Sequence, residues 1–145
     1  MVERKKTSDG LNKSDQKMIE EIALQQQTSK KQDVINLSNK KILDVLFVDA
    51  LPYSMASKII EIQITKNLIS NLDSFNKLVN LKVINASDNY ISSVNIHLNK
   101  LQELHLRNNF ITKVPILHQM PSLRILDLNT NKITELRFKS SNIIK

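Results

Sequence analysis

Three histidines, His97, His105 and His118, are the side chains of this chain best suited to moving a proton near neutral pH. Only His105 has company of the right type. Asp127 lies 22 residues after it and Asn85 lies 20 residues before it. A chain folding with a period close to those intervals would set the three side by side. An imidazole beside a carboxylate could serve as a base held by its orienting partner. The rest of a catalytic constellation is missing from the sequence: there is no cysteine, the single glycine is Gly10, and neither a phosphate-cradling loop nor an activated nucleophile accompanies the pair. Two ligands, His105 and Asp127, are too few to hold a metal. The trio reads as a polar surface cluster. No catalytic, cofactor-binding or metal-ligating residue is assigned, and a non-enzymatic protein is expected.

A second group offers recognition chemistry. Leu68, Tyr90 and Phe110 follow one another at 22 and 20 residues, with Lys41 before them and Lys132 after. The chain has only six aromatic residues. Two at matching intervals, in slots where no apolar residue is required, point to an exposed ridge of the kind that anchors protein interfaces.

Both groups depend on one periodic phrase. With apolar residues at positions 1, 4, 6, 11 and 14 and asparagine at 9, copies start at Ile59, Leu81, Leu101 and Leu123. Their asparagines are Asn67, Asn89, Asn109 and Asn131. Positions 4 and 6 alternate with period two, which places them on one face of a short strand. Strands of successive copies should pair in parallel. The asparagine, carrying both donors and an acceptor, should turn inward and satisfy buried backbone groups of the turn. Asn108 is expected to point outward and to tolerate alanine. Apolar anchors for the back of each copy are Phe75 and Leu78, Ile96 and Leu98, and Leu117 and Met120. The phrase is identified as the leucine-rich repeat signature L-x-x-L-x-L-x-x-N-x-L. The expected fold class is therefore α/β: a solenoid with a short parallel β-sheet on the concave face and loops or helical turns on the convex face.

Residues 1–31 form a polar N-terminal extension. Its first thirteen residues are expected to lack order. A helix over 15–27, capped by Ser14 and with Met18, Ile19, Ile22 and Ala23 as its apolar stripe, should cover the open end of the stack. Residues 32–145 are the repeats. An irregular first one spans 32–58, with Gln32 and Lys40 departing from the rule, and a helical turn on its back is broken at Pro52. Leu136 should complete the fourth regular copy, with Phe138 packing beneath it. A further repeat should begin near 143–145. The expected absence of a C-terminal cap implies coverage of that end by a partner or a missing segment.

The formal charge is +7, spread thinly along the chain with no basic block longer than Arg4–Lys6. This pattern favours a soluble surface over a direct nucleic-acid footprint. The absence of cysteine and of a long apolar run suggests a cytoplasmic protein, neither disulfide-stapled nor membrane-spanning.

Strand alternation aims positions 3, 5 and 7 at the concave face. Glu61, Val83 and Glu103 adjoin in one column and Asn85, His105 and Asp127 in the next, with Arg107 and Arg124 nearby. The partner-binding set is thus Leu68, Tyr90, Phe110, Lys132, Val83, Glu103, His105, Arg107 and Asp127. Phrases such as 104–111, LHLRNNFI, and 126–133, LDLNTNKI, resemble the short, roughly 22-residue cytosolic class of leucine-rich repeat proteins. That class includes the regulatory subunit of protein phosphatase 1, an axonemal dynein light chain and the spliceosomal A-prime protein. The resemblance implies a binding scaffold for another protein, in a cytoskeletal or ciliary assembly. A phosphatase-regulatory subunit or an snRNP-type adaptor, with a nuclear location, is the alternative.

Overall fold

A computed structural model describes residues 11–134. The sequence expectations for residues 1–10, and those for Leu136, Phe138 and 143–145, lie outside the described residues. Five three-residue strands, β1 (Val34–Asn36), β2 (Glu61–Gln63), β3 (Val83–Asn85), β4 (Glu103–His105) and β5 (Ile125–Asp127), form one parallel sheet in chain order. The register joins like positions of successive repeats: Ile35, Ile62, Ile84, Leu104 and Leu126 pair in turn. These side chains point into the stack, where positions 6 and 11 meet them. The first four of each column are buried, and Leu126, Leu128 and Ile133 are half-buried. On the back, Phe47 and Phe75 lie buried in successive 3-10 turns, Leu46–Ala50 and Asp73–Lys77. The third repeat, the short one, crosses the back without such a turn. Asn76 holds it extended, donating from Nδ2 to the Asn95 carbonyl (3.2 Å) and accepting the His97 N–H at Oδ1 (2.6 Å).

The asparagines act between repeats as well as within them. Asn109 Nδ2 donates to its own Leu106 and Arg107 carbonyls (3.1 and 3.4 Å) and to Ala86 of the preceding repeat (3.0 Å). Its Oδ1 accepts the Ile91 N–H, also from the preceding repeat, at 3.0 Å. Asn89 and Asn131 repeat this pattern, and Asn67 accepts the Lys40 and Ile42 N–H groups together. Each asparagine thus completes the turn of the repeat before it. The first repeat follows α1 and not another repeat, so no repeat turn behind Lys40 calls for an asparagine in its ninth slot, and Asn67 Nδ2 donates to the Leu37 carbonyl of its turn at 2.9 Å. The lysine instead faces solvent and sits 3.6 Å from Glu21.

The N-terminal helix, α1, runs Lys13–Thr28, and the four-residue α2 covers Tyr53–Ala56. The cap of α1 is Asn12, not Ser14: Asn12 Oδ1 accepts the Asp15 N–H at 2.7 Å, so the helix begins at Lys13, earlier than 15. Met18 and Ile22 are buried, with Ile19 and Ala23 at the margin. Gln26 Nε2 donates to the Met55 carbonyl at 3.0 Å. Gln25 closes the sheet: its Nε2 donates to the Asn36 carbonyl (2.7 Å) and its Oε1 accepts the Asn36 N–H (2.8 Å). One side-chain amide therefore supplies the pair of bonds that another strand would make along the outer edge of β1, and so blocks edge-to-edge association.

Position 8, just before each asparagine, carries a second constraint. Asn39, Lys66, Asp88, Asn108 and Thr130 all adopt φ between 54° and 58°. The left-handed bend reverses the chain at the end of each strand. It costs an ordinary L-residue roughly 1–2 kcal/mol, less for Asn and Asp. Asn108 is therefore not a free position, and its Nδ2 also donates to Asp88 Oδ1 at 2.7 Å. On this geometry alanine is expected to cost stability there, against the expectation from the sequence.

In urea unfolding, Asn109→Leu should lose ~3 kcal/mol or more, because several buried backbone groups lose partners at 1–3 kcal/mol each. Asn108→Ala should lose about 1 kcal/mol and Thr130→Gly should be neutral or stabilising. Equal losses from Asn109→Leu and Asn108→Ala would refute the ladder. Gln25→Leu should destabilise by about 1–2 kcal/mol and promote concentration-dependent association, read by light scattering; an unchanged monomer of full stability would remove Gln25 from that role.

Candidate functional site

The turn that buries each asparagine turns the next residue outward. At position 10 the backbone N–H of Leu68, Tyr90, Phe110 and Lys132 donates to the position-11 carbonyl of the repeat before (2.8–2.9 Å). This second ladder fixes the column while leaving the side chains free. Leu68 is 41% exposed, Tyr90 54% and Phe110 46%. The rings of Tyr90 and Phe110 stack with centroids 5.6 Å apart and planes 9° from parallel. Each therefore keeps its neighbour's rotamer and presents a rigid apolar edge. Such a pair contributes about 0.5–1.5 kcal/mol beyond area burial. The ridge walls a shallow groove of about 320 Å³ that Lys66, Asp88 and Asn108 also line.

Those three polar residues were missed in the sequence reading. They occupy the left-handed position 8, and the available signal was its run of Asn, Asp and Asn at residues 39, 88 and 108. Lys66 and Thr130 in the same column obscured it. A neighbouring groove of about 430 Å³ joins Asp88, Asn108 and Thr130 to Arg107. Asp88 and Asn108 are common to both grooves, Arg107 lines the second groove only, and Lys132 follows Phe110 in the position-10 column.

On the strand face, the register sets Val83 beside Glu103 and His105 beside Asp127. The imidazole does not use that carboxylate. His105 Nε2 lies 3.2 Å from Glu103 Oε2, two residues back on the same strand face. Asp127 Oδ1 instead accepts the backbone N–H and the Nδ2 of Asn129, at 3.0 and 2.7 Å. His105 and Asp127 therefore lie side by side in register but close two separate local pairs. The strand ends at Asp127, which brings the Asn129 N–H within reach of its carboxylate. Among the described residues, no group of three or more His, Asp or Glu side chains could hold a metal ion. No helix of the described residues is long and apolar enough to cross a membrane.

A parallel solenoid locked by inward asparagines, with an exposed ridge beside its turns, defines the class: a leucine-rich repeat module. Comparisons with known proteins agree. Residues 99–141 match the family model for leucine-rich repeats in two copies. The chain is 33% identical to the mouse leucine-rich repeat serine/threonine-protein kinase 1 over 110 residues, covering 68% of this chain and 6% of the kinase. It resembles the structure of a leucine-rich repeat protein of Leptospira interrogans with a TM-score of 0.50 and 29% identity, over 58% of this chain and 23% of that one. The chain therefore spans a small part of either relative. These findings support the leucine-rich repeat family and its α/β solenoid fold. They single out neither the phosphatase-regulatory, the dynein light-chain nor the A-prime class.

Because the ridge is exposed, its removal should spare the fold. A Tyr90→Ala, Phe110→Ala double variant should lose no more than about 2 kcal/mol in urea unfolding, and Leu104→Ala about 2–5 kcal/mol. A double variant as unstable as Leu104→Ala would make the ridge part of the core and not a site.

Proposed function

We propose that this chain is a non-catalytic protein-interaction module that holds another protein through the ridge of Leu68, Tyr90 and Phe110 and the adjoining strand-face residues Val83, Glu103, His105, Arg107 and Asp127. The single observation that carries this reading is the stacked, half-exposed Tyr90–Phe110 pair. Burying aromatic surface that the fold itself leaves out is the characteristic source of binding energy at protein interfaces. Leucine-rich repeat proteins generally mediate protein–protein contacts, which supports the same reading. The kinase activity of the mouse relative is not carried over, since the chain matches 6% of that protein.

Within this reading, the resemblance of the repeat phrases supports a cytoplasmic partner in a cytoskeletal or ciliary assembly. The same resemblance supports, as the alternative, a phosphatase-regulatory subunit or an snRNP-type adaptor in the nucleus. Lys66, which lines the groove with the two parallel rings, is the observation that favours contact with RNA in the snRNP case.

Affinity capture from native cell extract, with the chain beside its Tyr90→Ala, Phe110→Ala variant, tests the proposal. A partner retained by the wild type and lost by the variant is expected, and its identity assigns the assembly. A hold that weakens steeply as salt rises points to RNA contacts, whereas an apolar ridge predicts a shallow dependence. Equal capture by both chains would move the site away from the ridge.

A further inference from the structure

The ridge has a spacing, a charge pattern and a hydrogen-bond state that together select the shape of its occupant. Leu68 and Phe110 are two strand steps apart, about 10 Å at ~4.8 Å per step. An α-helix rises about 10 Å over seven residues. Apolar side chains at i, i+3 or i+4, and i+7 would therefore meet Leu68, Tyr90 and Phe110 one by one, and the 5.6 Å between the two ring centroids is close to one helical turn. An extended strand repeats its side chains every ~6.7 Å on one face and would be out of step by the third contact.

The backbone points the same way. A partner strand gains its affinity from main-chain hydrogen bonds. Along this edge the N–H groups of Lys66, Asp88 and Asn108 already donate to the next repeat (2.9–3.1 Å), and those of Leu68, Tyr90 and Phe110 donate to the previous one. A helix satisfies its own backbone and needs none of these groups.

Charge completes the pattern. Lys41, the one position-10 residue of the described repeats with a left-handed backbone (φ 56°), and Lys132 stand in register on either side of the apolar triplet, four strand steps or about 19 Å apart, a length spanned by ~13 residues of helix. Lys66 adds a third positive charge in the groove, and Asp88, the one carboxylate lining it, is tied to Asn108 Nδ2 at 2.7 Å. Resting on the ridge reading above, we infer that the occupant is an acidic amphipathic helix of a partner protein. It lies along the ridge with three apolar residues at i, i+3/i+4 and i+7, and it carries carboxylates about one turn beyond each end of that stripe.

Two phage-displayed libraries of 18-residue peptides test this. One has a helix-forming frame with one randomised face. The other has proline at every fourth position, which keeps it extended. Both are panned on the full chain and rescreened on the Tyr90→Ala, Phe110→Ala variant, whose fold is first checked by circular dichroism. The expected result is ridge-dependent binders from the helical library alone, with apolar triplets flanked by Asp or Glu. Such binders should weaken at least tenfold on a Lys41→Glu, Lys132→Glu variant. Ridge-dependent binders from the extended library, or helical ones with basic or indifferent flanks, would overturn this inference and leave the ridge reading standing. Binders retained by the Tyr90→Ala, Phe110→Ala variant, or none from either library, would overturn both.

Discussion

The molecule depends on a carboxamide that reaches backwards. A strand of three residues cannot organise a domain by itself, and the turn after it leaves N–H and C=O groups inside the stack with no neighbour in sequence to bond them. The ninth-position asparagine answers that need for two repeats at once. In Asn67, Asn89 and Asn109, each only 4% exposed, the amide donates to its own turn and to the turn before, and the oxygen accepts from the turn before. Among the described residues no buried side-chain nitrogen or oxygen is left without a hydrogen-bond partner. Each repeat is thus finished only by its successor, which is the physical origin of cooperativity in a linear stack.

The same logic explains the irregular end. The first repeat needs no asparagine because it has no turn behind it to complete. Its exposed strand edge is a different problem and receives a different remedy, the Gln25 amide of α1 imitating a peptide group beside Asn36. On the back of the stack, Lys77 Nζ donates to the Asp49 and Leu51 carbonyls at 2.6 and 2.8 Å, satisfying the C-terminal end of the first 3-10 turn from the next repeat. Neighbouring repeats complete one another along both sides of the solenoid.

Function follows from what this arrangement leaves outside. Burying position 9 forces position 10 to the surface, and the left-handed bend at position 8 lifts a polar residue beside it. A fold built this way presents a column of adjacent side chains that the core does not constrain. Here that column carries a leucine and two stacked rings between lysines. The strand face, by contrast, is occupied with short-range pairs, Glu61 with Gln63 and Glu103 with His105, each closed on its own strand. The ridge, by comparison, holds apolar side chains about half exposed in three successive repeats.

The repeat register, the parallel sheet, the inward asparagines and the outward column of Leu68, Tyr90 and Phe110 were all legible in the sequence. They follow from periodicity, and periodicity survives in one dimension. Three matters were decided only in three dimensions. The left-handed bend at position 8 is a backbone property with no strict residue requirement: Lys66 and Thr130 hold it as Asn108 does, because the hydrogen-bonded turn around them imposes it. The partner of His105 depended on which carboxylate the fold brings within reach, and it is Glu103 at 3.2 Å on the same strand, while Asp127 Oδ1 bonds Asn129. The roles of Asn12 and Gln25 depended on where the first turn of α1 begins and how the helix lies on β1, and a helical stripe of apolar residues specifies neither to within a residue. Patterns of burial are written locally, residue by residue. The choice among competing polar partners is made only when the fold brings them within hydrogen-bonding distance.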